Sequence, residues 1–276
     1  MSWPLHRTQR VGRRGLRVSE ENLATIRELL AQCSPEEQAA LFRELRARHL
    51  IHEFEEIIGA PAEMILEAVH RAPELTRRML RGVIADAAFR QFAVRPLVKS
   101  GWRDVTPIGN FAYDYKLEDS VGPVTVQVKL QRSERGAPVV KRGERFGFGE
   151  TVHIVETQKT RTGTDGQANQ TRPYRYAEFD ILAVSMQPST AKWDRYLYTL
   201  GRWLLPGRNA GEIATLQPVA MSPNEFWTDD FTHAAHWLRT DDGGKRMVDA
   251  APAAKKRSAK KSVPRSSRRK RSIPPQ

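Results

Sequence analysis

Cysteine is nearly absent from this chain. Cys33 is the only one in 276 residues, so no disulfide can form within it, and a reducing compartment is the natural expectation. Long apolar runs are missing too. No stretch of about 18 consecutive apolar residues occurs, the length a membrane-spanning helix requires. The basic N-terminal stretch MSWPLHRTQRVGRRGLR has no apolar segment of the secretory kind. The seven histidines are scattered. His233 and His236 lie three apart on a helical pattern but have no third metal donor beside them, which points to structural roles. Neither a phosphate-binding P-loop nor a dinucleotide fingerprint is present. A soluble, cytoplasmic protein without a nucleotide cofactor is expected.

Negative charge is missing from one region above all. Lys245 to Gln276 contains 12 Lys and Arg against a single acid, Asp249. Taking those eleven excess charges from the formal total of +13 leaves only +2 for everything before Lys245. The high isoelectric point therefore describes a tail, and the rest of the chain is nearly neutral. The tail is poor in large apolar residues, and such a composition cannot bury enough surface to fold. Its Lys and Arg suit sequence-independent contact with a polyanion; a nuclear-localisation signal or a solubilising tail fits the same composition.

Four regions follow from the patterning. Residues 1–18 read as a basic disordered arm. Residues 19–72 read as helical: Ser19 caps a first helix with the stripe Leu23, Ile26, Leu29 and Leu30, and Ser34-Pro35-Glu36-Glu37 starts a second with Leu41, Phe42 and Leu45. Residues 73–240 form the main domain, and 241–276 the disordered Lys/Arg-rich tail. Pro73 opens a long helix to about Val94, on which Leu75, Met79, Gly82, Asp86, Phe89 and Ala93 share one face. Asp86 is then a carboxylate on an apolar stripe, which is costly unless it is paired or binds a cation. Strands are expected near 103–106, 111–117, 123–131, 151–157 and 178–185. The stretch 189–205 fits helix or strand equally, and a last helix covers Asp229 to Leu238.

The segment Phe111 to Gln131, FAYDYKLEDSVGPVTVQVKLQ, carries the chemistry. Val124, Val126, Val128 and Leu130 alternate with Thr125, Gln127, Lys129 and Gln131, so Gln127 and Lys129 share the face opposite the valines. Asp114 lies on the preceding run. A carboxylate, an amide and a lysine on one hairpin suit metal-assisted phosphodiester cleavage. The plainer alternative is a solvated strand acid beside an edge lysine of the sort that discourages aggregation.

Taken in chain order, the helix acid Asp86, then Asp114, then Gln127-Val128-Lys129 resembles the PD-(D/E)XK nuclease superfamily, which includes many restriction endonucleases. The resemblance covers roughly Pro73 to Val184. It implies an α/β fold with a central mixed β-sheet flanked by helices. It also implies magnesium, with manganese as a substitute, held by Asp114, by Gln127 at the usual position of an acid, by Asp86 and by the Val128 carbonyl. Lys129 would contact the scissile phosphate and the attacking water. Gln127 in place of an acid and Asp86 in place of a glutamate depart from the family pattern. The implied activity is hydrolysis of double-stranded DNA in a bacterial cytoplasm, nucleoid-associated through DNA, by a homodimer paired with a methyltransferase of the same site. The alternatives are an inactive DNA-binding module on the same fold, and a small-molecule or protein-binding α/β protein with a nucleic-acid tail.

DNA contacts are expected from Lys159, Arg161, Asn169, Arg172 and Arg175 in a polar loop, and from Arg132 after the hairpin. Arg and amide side chains read base edges, and Lys meets phosphate. Glu178 and Asp180 share a strand face and are expected to pair with cations such as Arg175 or Arg195.

Overall fold

The computed structural model describes residues 19–49, 52–149, 151–159 and 172–249. The chain divides into two compact units, one ending at Arg77 and the other starting at Arg78. The first holds four helices: α1 (Glu20–Gln32), α2 (Pro35–Arg48), α3 (Phe54–Ile58) and α4 (Ala62–Arg71). Ser19 caps α1 by accepting from the Asn22 N–H. Ser34 and Glu37 form a reciprocal capping box at α2. Arg46 joins Glu55 and Glu63, which fastens α2 to α3 and α4.

Helix α5 (Glu74–Phe89) begins at the end of the first unit and continues in the second, where it runs through a wide π turn, Arg90–Val94, into α6 (Arg95–Lys99). Pro96 has no N–H and its ring crowds the preceding turn, so the helix widens there, with the Arg95 N–H reaching back to the Arg90 carbonyl. The buried face of α5 differs from the expected stripe. Leu75 and Met79 are each 59% exposed, whereas Ala85, Ala88 and Phe89 are buried. Two alanines let the helix approach the sheet closely, and Phe89 fills the space between Tyr115 and Tyr196, at 5.2 Å from each ring centre. Asp86 therefore lies at the edge of the buried face, half-buried, and not in its middle.

The main sheet contains β1 (Arg103–Asp104), β2 (Tyr115–Glu118), β3 (Pro123–Leu130), β8 (Ile181–Ser185) and β9 (Tyr196–Leu200), in the order β1-β2-β3-β8-β9. It is mixed: β3 and β8 are parallel and every other pairing is antiparallel. A second sheet orders β10 (Leu216–Val219), β7 (Thr151–Glu156) and β6 (Val140–Arg142), and β4 (Ser133–Glu134) pairs with β5 (Ala137–Pro138). Two short helices complete the unit, α7 (Gln187–Thr190) and α8 (Phe231–Thr240), the latter capped by Asp230. The ambiguous stretch 189–205 resolves into the end of α7, strand β9 and a tight turn at Gly201–Trp203.

The valine alternation of β3 sorts the unit into two cores. Val124, Val126 and Val128 pack with Phe89, Leu117, Ala183 and Tyr198, and α8 adds Phe231 and Ala234. The other face of the sheet carries Leu182 and Val184, packed with Ile154, Tyr174, Phe179 and Trp227. Leu182 and Val184 stand in register with Gln127 and Lys129, so those two polar residues face the second core, as the alternation requires.

The packed chain continues past Thr240. Met247 is 1% exposed within the second core, and its N–H donates to the Trp203 carbonyl at 2.7 Å. The compositional boundary at Asp241 is thus not the edge of the packed structure, which reaches at least Asp249, paired with Arg145. Composition could not reveal this, because one buried methionine is enough to fasten a polar segment. Met247→Ala is expected to cost about 2 kcal/mol, read as a lower midpoint in urea unfolding with an unchanged slope.

Candidate functional site

The hairpin β2–β3 builds the site. Its ladder extends one residue beyond β2, with the Asp114 N–H donating to the Val126 carbonyl at 2.9 Å. Asp114 precedes the strand and does not lie within it, yet this bond places it beside Gln127. One carboxylate oxygen, Oδ2, accepts from the Val128 N–H at 2.7 Å and from Gln127 Nε2 at 2.5 Å. Gln127 is 3% exposed, and the same Nε2 also donates to the Val128 carbonyl at 3.2 Å. As arranged, Gln127 clamps Asp114 through its amide nitrogen, and the Val128 carbonyl is engaged by that amide. Two of the three residues expected as metal ligands beside Asp114, Gln127 and Val128, are therefore turned toward holding it.

Lys129 follows on the same face. Its ammonium lies 5.3 Å from the centre of the Tyr174 ring, and Lys159 lies 5.4 Å from the same ring. Burial lowers the pKa of Lys129, opposed by the negative charges of Asp114 and Glu156. Asp114 keeps contact with solvent on one side while protein crowds the other. That crowding raises its pKa, against the Val128 N–H and the Lys129 charge, and the nearby Asp86 raises it further. Burial also raises the pKa of Asp86, against the Tyr115 hydroxyl and the charge of Arg90. The Tyr115 hydroxyl donates its single proton to the Asp86 backbone carbonyl at 3.1 Å.

Asp86, Asp114, Gln127 and Lys129 are thus gathered at one end of β3. Asp86 comes from the helix-covered face of the sheet and Lys129 from the other, with Asp114 at the edge between them. Among the described residues no three His, Cys, Asp or Glu form a ready-made metal cage. Two carboxylates fit a magnesium ion that retains waters and takes further oxygens from a phosphate. Asp114 Oδ1 has no hydrogen-bond partner among the described residues, so the donor set suits such an ion.

The expected DNA contacts divide. Lys159 belongs to the cluster through Tyr174 and pairs with Glu178 at 2.6 Å. Arg172 brings its backbone carbonyl to the Lys159 N–H, while its own side-chain Nε is buried without a hydrogen-bond partner. Arg175 is exposed and donates its backbone N–H to Glu178. Arg132 is turned to Glu134 at 2.8 Å. Arg161 and Asn169 lie outside the described residues. Glu178 thus pairs with Lys159, while Asp180 accepts from the Thr125 N–H and hydroxyl and pairs with no cation among the described residues. His233 contacts Thr228 and the Trp237 ring, a structural setting.

Sequence reasoning missed Tyr115 and Glu156, and it read Tyr174 only as an aromatic at the end of the DNA-contact loop, not as a neighbour of Lys129. Tyr115 was within reach, because alternation from Asp114 turns it toward the helix that carries Asp86. Glu156 and Tyr174 depend on how β7 and the following turn pack beside β3, and no local pattern encodes that.

The fold and the site together define an α/β protein with a mixed five-stranded sheet and an acid–amide–lysine cluster at one end of its central hairpin. No family model matches the chain, and no curated protein matches it. Among solved structures, a bacterial homing endonuclease is 26% identical over 45% of this chain and 68% of its own, with a TM-score of 0.29. A superposition that loose carries no conclusion about shared function. No helix among the described residues is long and apolar enough to cross a membrane.

Proposed function

We propose that the chain is a magnesium-dependent endonuclease that hydrolyses phosphodiester bonds of double-stranded DNA. The observation that carries this reading is the Asp114 carboxylate, clamped through Oδ2 and open at Oδ1, beside the half-buried Lys129 and within electrostatic reach of Asp86. Asp114 and Asp86 would hold the metal. When bound, the ion would polarise the phosphoryl oxygen and ease deprotonation of an attacking water. Gln127 would fix the angle at which Asp114 meets it. Lys129 would offset the charge that develops on the phosphate in the transition state, and Tyr174 would limit the positions its ammonium can take. Lys159, on the same ring, would meet a neighbouring phosphate. A second copy of the chain and a methyltransferase acting on the same DNA site would be the partners of a restriction role.

One observation favours a second reading, a DNA-binding module without catalysis: the amide nitrogen, not the oxygen, of Gln127 faces the carboxylate. Supercoiled plasmid incubated with the protein and magnesium separates the two. Nicking or linearisation that stops on chelation supports the nuclease. Salt-sensitive binding with intact plasmid, across metals and many DNA sequences, supports the module and sinks the nuclease.

The pH dependence follows from the shifts. Both acids have raised pKa values, so metal binding weakens on acidification sooner than ordinary aspartates would allow. Lys129 has a lowered pKa, so its charge is lost on the alkaline side before an ordinary lysine would lose it. A bell narrower on both sides than unperturbed groups would give is expected for cleavage at fixed magnesium. Lys129→Arg should remove the alkaline limb, because a guanidinium stays protonated; an unchanged alkaline limb in that variant would assign it to another group.

A further inference from the structure

The chain beyond α8 returns across the fold, and Lys245 inserts its ammonium among three aromatic rings. Nζ lies 4.4 Å from the ring centre of Trp203, 4.7 Å from that of Phe226 and 5.7 Å from that of Trp237. It also donates to the Glu225 carbonyl. The rings brace one another: Trp203 and Trp237 are 5.1 Å apart, and Phe226 stands nearly perpendicular to Trp203 at 6.0 Å. Trp203 is buried and its indole N–H donates to Asp241 at 3.0 Å, so the wall is fixed. Several π faces and a carbonyl around one positive centre is the chemistry that recognises alkylammonium groups.

The segment that follows is fastened at each step. The Arg246 guanidinium lies 4.5 Å from the centre of the Tyr176 ring, Met247 enters the second core, and Asp249 meets Arg145 at 2.5 Å. Tyr176 is two residues from Tyr174, the ring beside Lys129. The clasp therefore braces the segment that flanks the candidate site.

We propose that Trp203, Phe226 and Trp237 form an alkylammonium-binding cage whose resident ligand is the chain's own Lys245, and that this occupancy latches Lys245–Asp249 onto the fold. The latch reads charge. Removal of the positive charge, as in N-acylation, opens it; N-methylation keeps the charge and leaves it closed. The proposal does not rest on the nuclease reading and is tested without DNA.

The full-length chain is compared with Lys245→Met, which keeps an apolar stem without the charge, and with Lys245→Ala, which empties the cage. Lys245 is half-buried and held by several rings, so Lys245→Met should lower Tm by about 3 °C. It should also speed trypsin cleavage after Arg246 relative to the native chain, in which the latch is expected to protect that bond. Added n-propylammonium should raise the Tm of Lys245→Ala beyond the effect of matched sodium chloride and leave the native chain unchanged. If Lys245→Ala does not fold, the trypsin and Tm readings of Lys245→Met decide alone. A Lys245→Met protein as stable and as trypsin-resistant as the native one overturns the latch. A folded Lys245→Ala protein that ignores propylammonium overturns the cage.

Discussion

Asp114→Ala and Lys129→Ala are each expected to reduce cleavage of supercoiled plasmid by on the order of a thousandfold, with DNA binding in calcium or without metal nearly unchanged. The reasons differ. Asp114 is the only carboxylate clamped by both a backbone N–H and a side-chain amide of the hairpin, so its loss removes the anchored metal ligand. Lys129 supplies charge at a position fixed by β3 and by the Tyr174 ring. Magnesium titrations separate the two roles. For Asp114→Ala the metal requirement should rise steeply. For Lys129→Ala it should change little while the rate at saturating metal falls. Equal metal curves for the two variants would remove the division of labour proposed for them. Asp86→Ala should be milder, because Asp86 lies at the edge of its helix face and is already engaged by Tyr115.

Gln127→Glu is the second substitution with a large expected effect, and its sign depends on metal. The native amide donates to Asp114 and to the Val128 carbonyl, and a carboxylate there can donate to neither. It would also set a second negative charge beside Asp114 at a position that is 3% exposed. In chelator at pH 8 the variant should lose about 3 kcal/mol of stability, the scale of an uncompensated buried charge. Magnesium in excess should return most of that loss, because a cation between two carboxylates removes the repulsion, and the variant should bind magnesium more tightly than the native chain. Thermal unfolding in chelator and in magnesium reads both effects. A Gln127→Glu protein with native stability in chelator would show that the amide clamp contributes nothing.

The parts of this site that were legible in the sequence are those set by local rules. Alternation along β3 placed Gln127 and Lys129 opposite the valines, and the starts of α1 and α2 were marked by the capping chemistry of Ser19 and Ser34. The facing of α5 was not legible. Two stripes on that helix differ by a small rotation, and the choice fell to Ala85 and Ala88, whose small side chains allow close approach to the sheet, over the larger Leu75 and Met79. Strand β10 was obscure because its partner lies far away in sequence: it pairs with β7 across some sixty residues. Glu156 enters the site only through the bridge of Val155 to Gln131. The clasp after α8 was hidden for another reason: its composition is polar, and four residues, Lys245, Arg246, Met247 and Asp249, fasten it.

The most direct test of the central claim is single-turnover cleavage of supercoiled plasmid DNA by the native chain, with Asp114→Ala and Lys129→Ala prepared in parallel. The account predicts magnesium-dependent nicking or linearisation by the native protein, abolished by chelator and lost in both variants while their DNA binding persists. Cleavage at native rates by Asp114→Ala, or a native protein that binds DNA but leaves it intact in every metal and sequence tried, would contradict it.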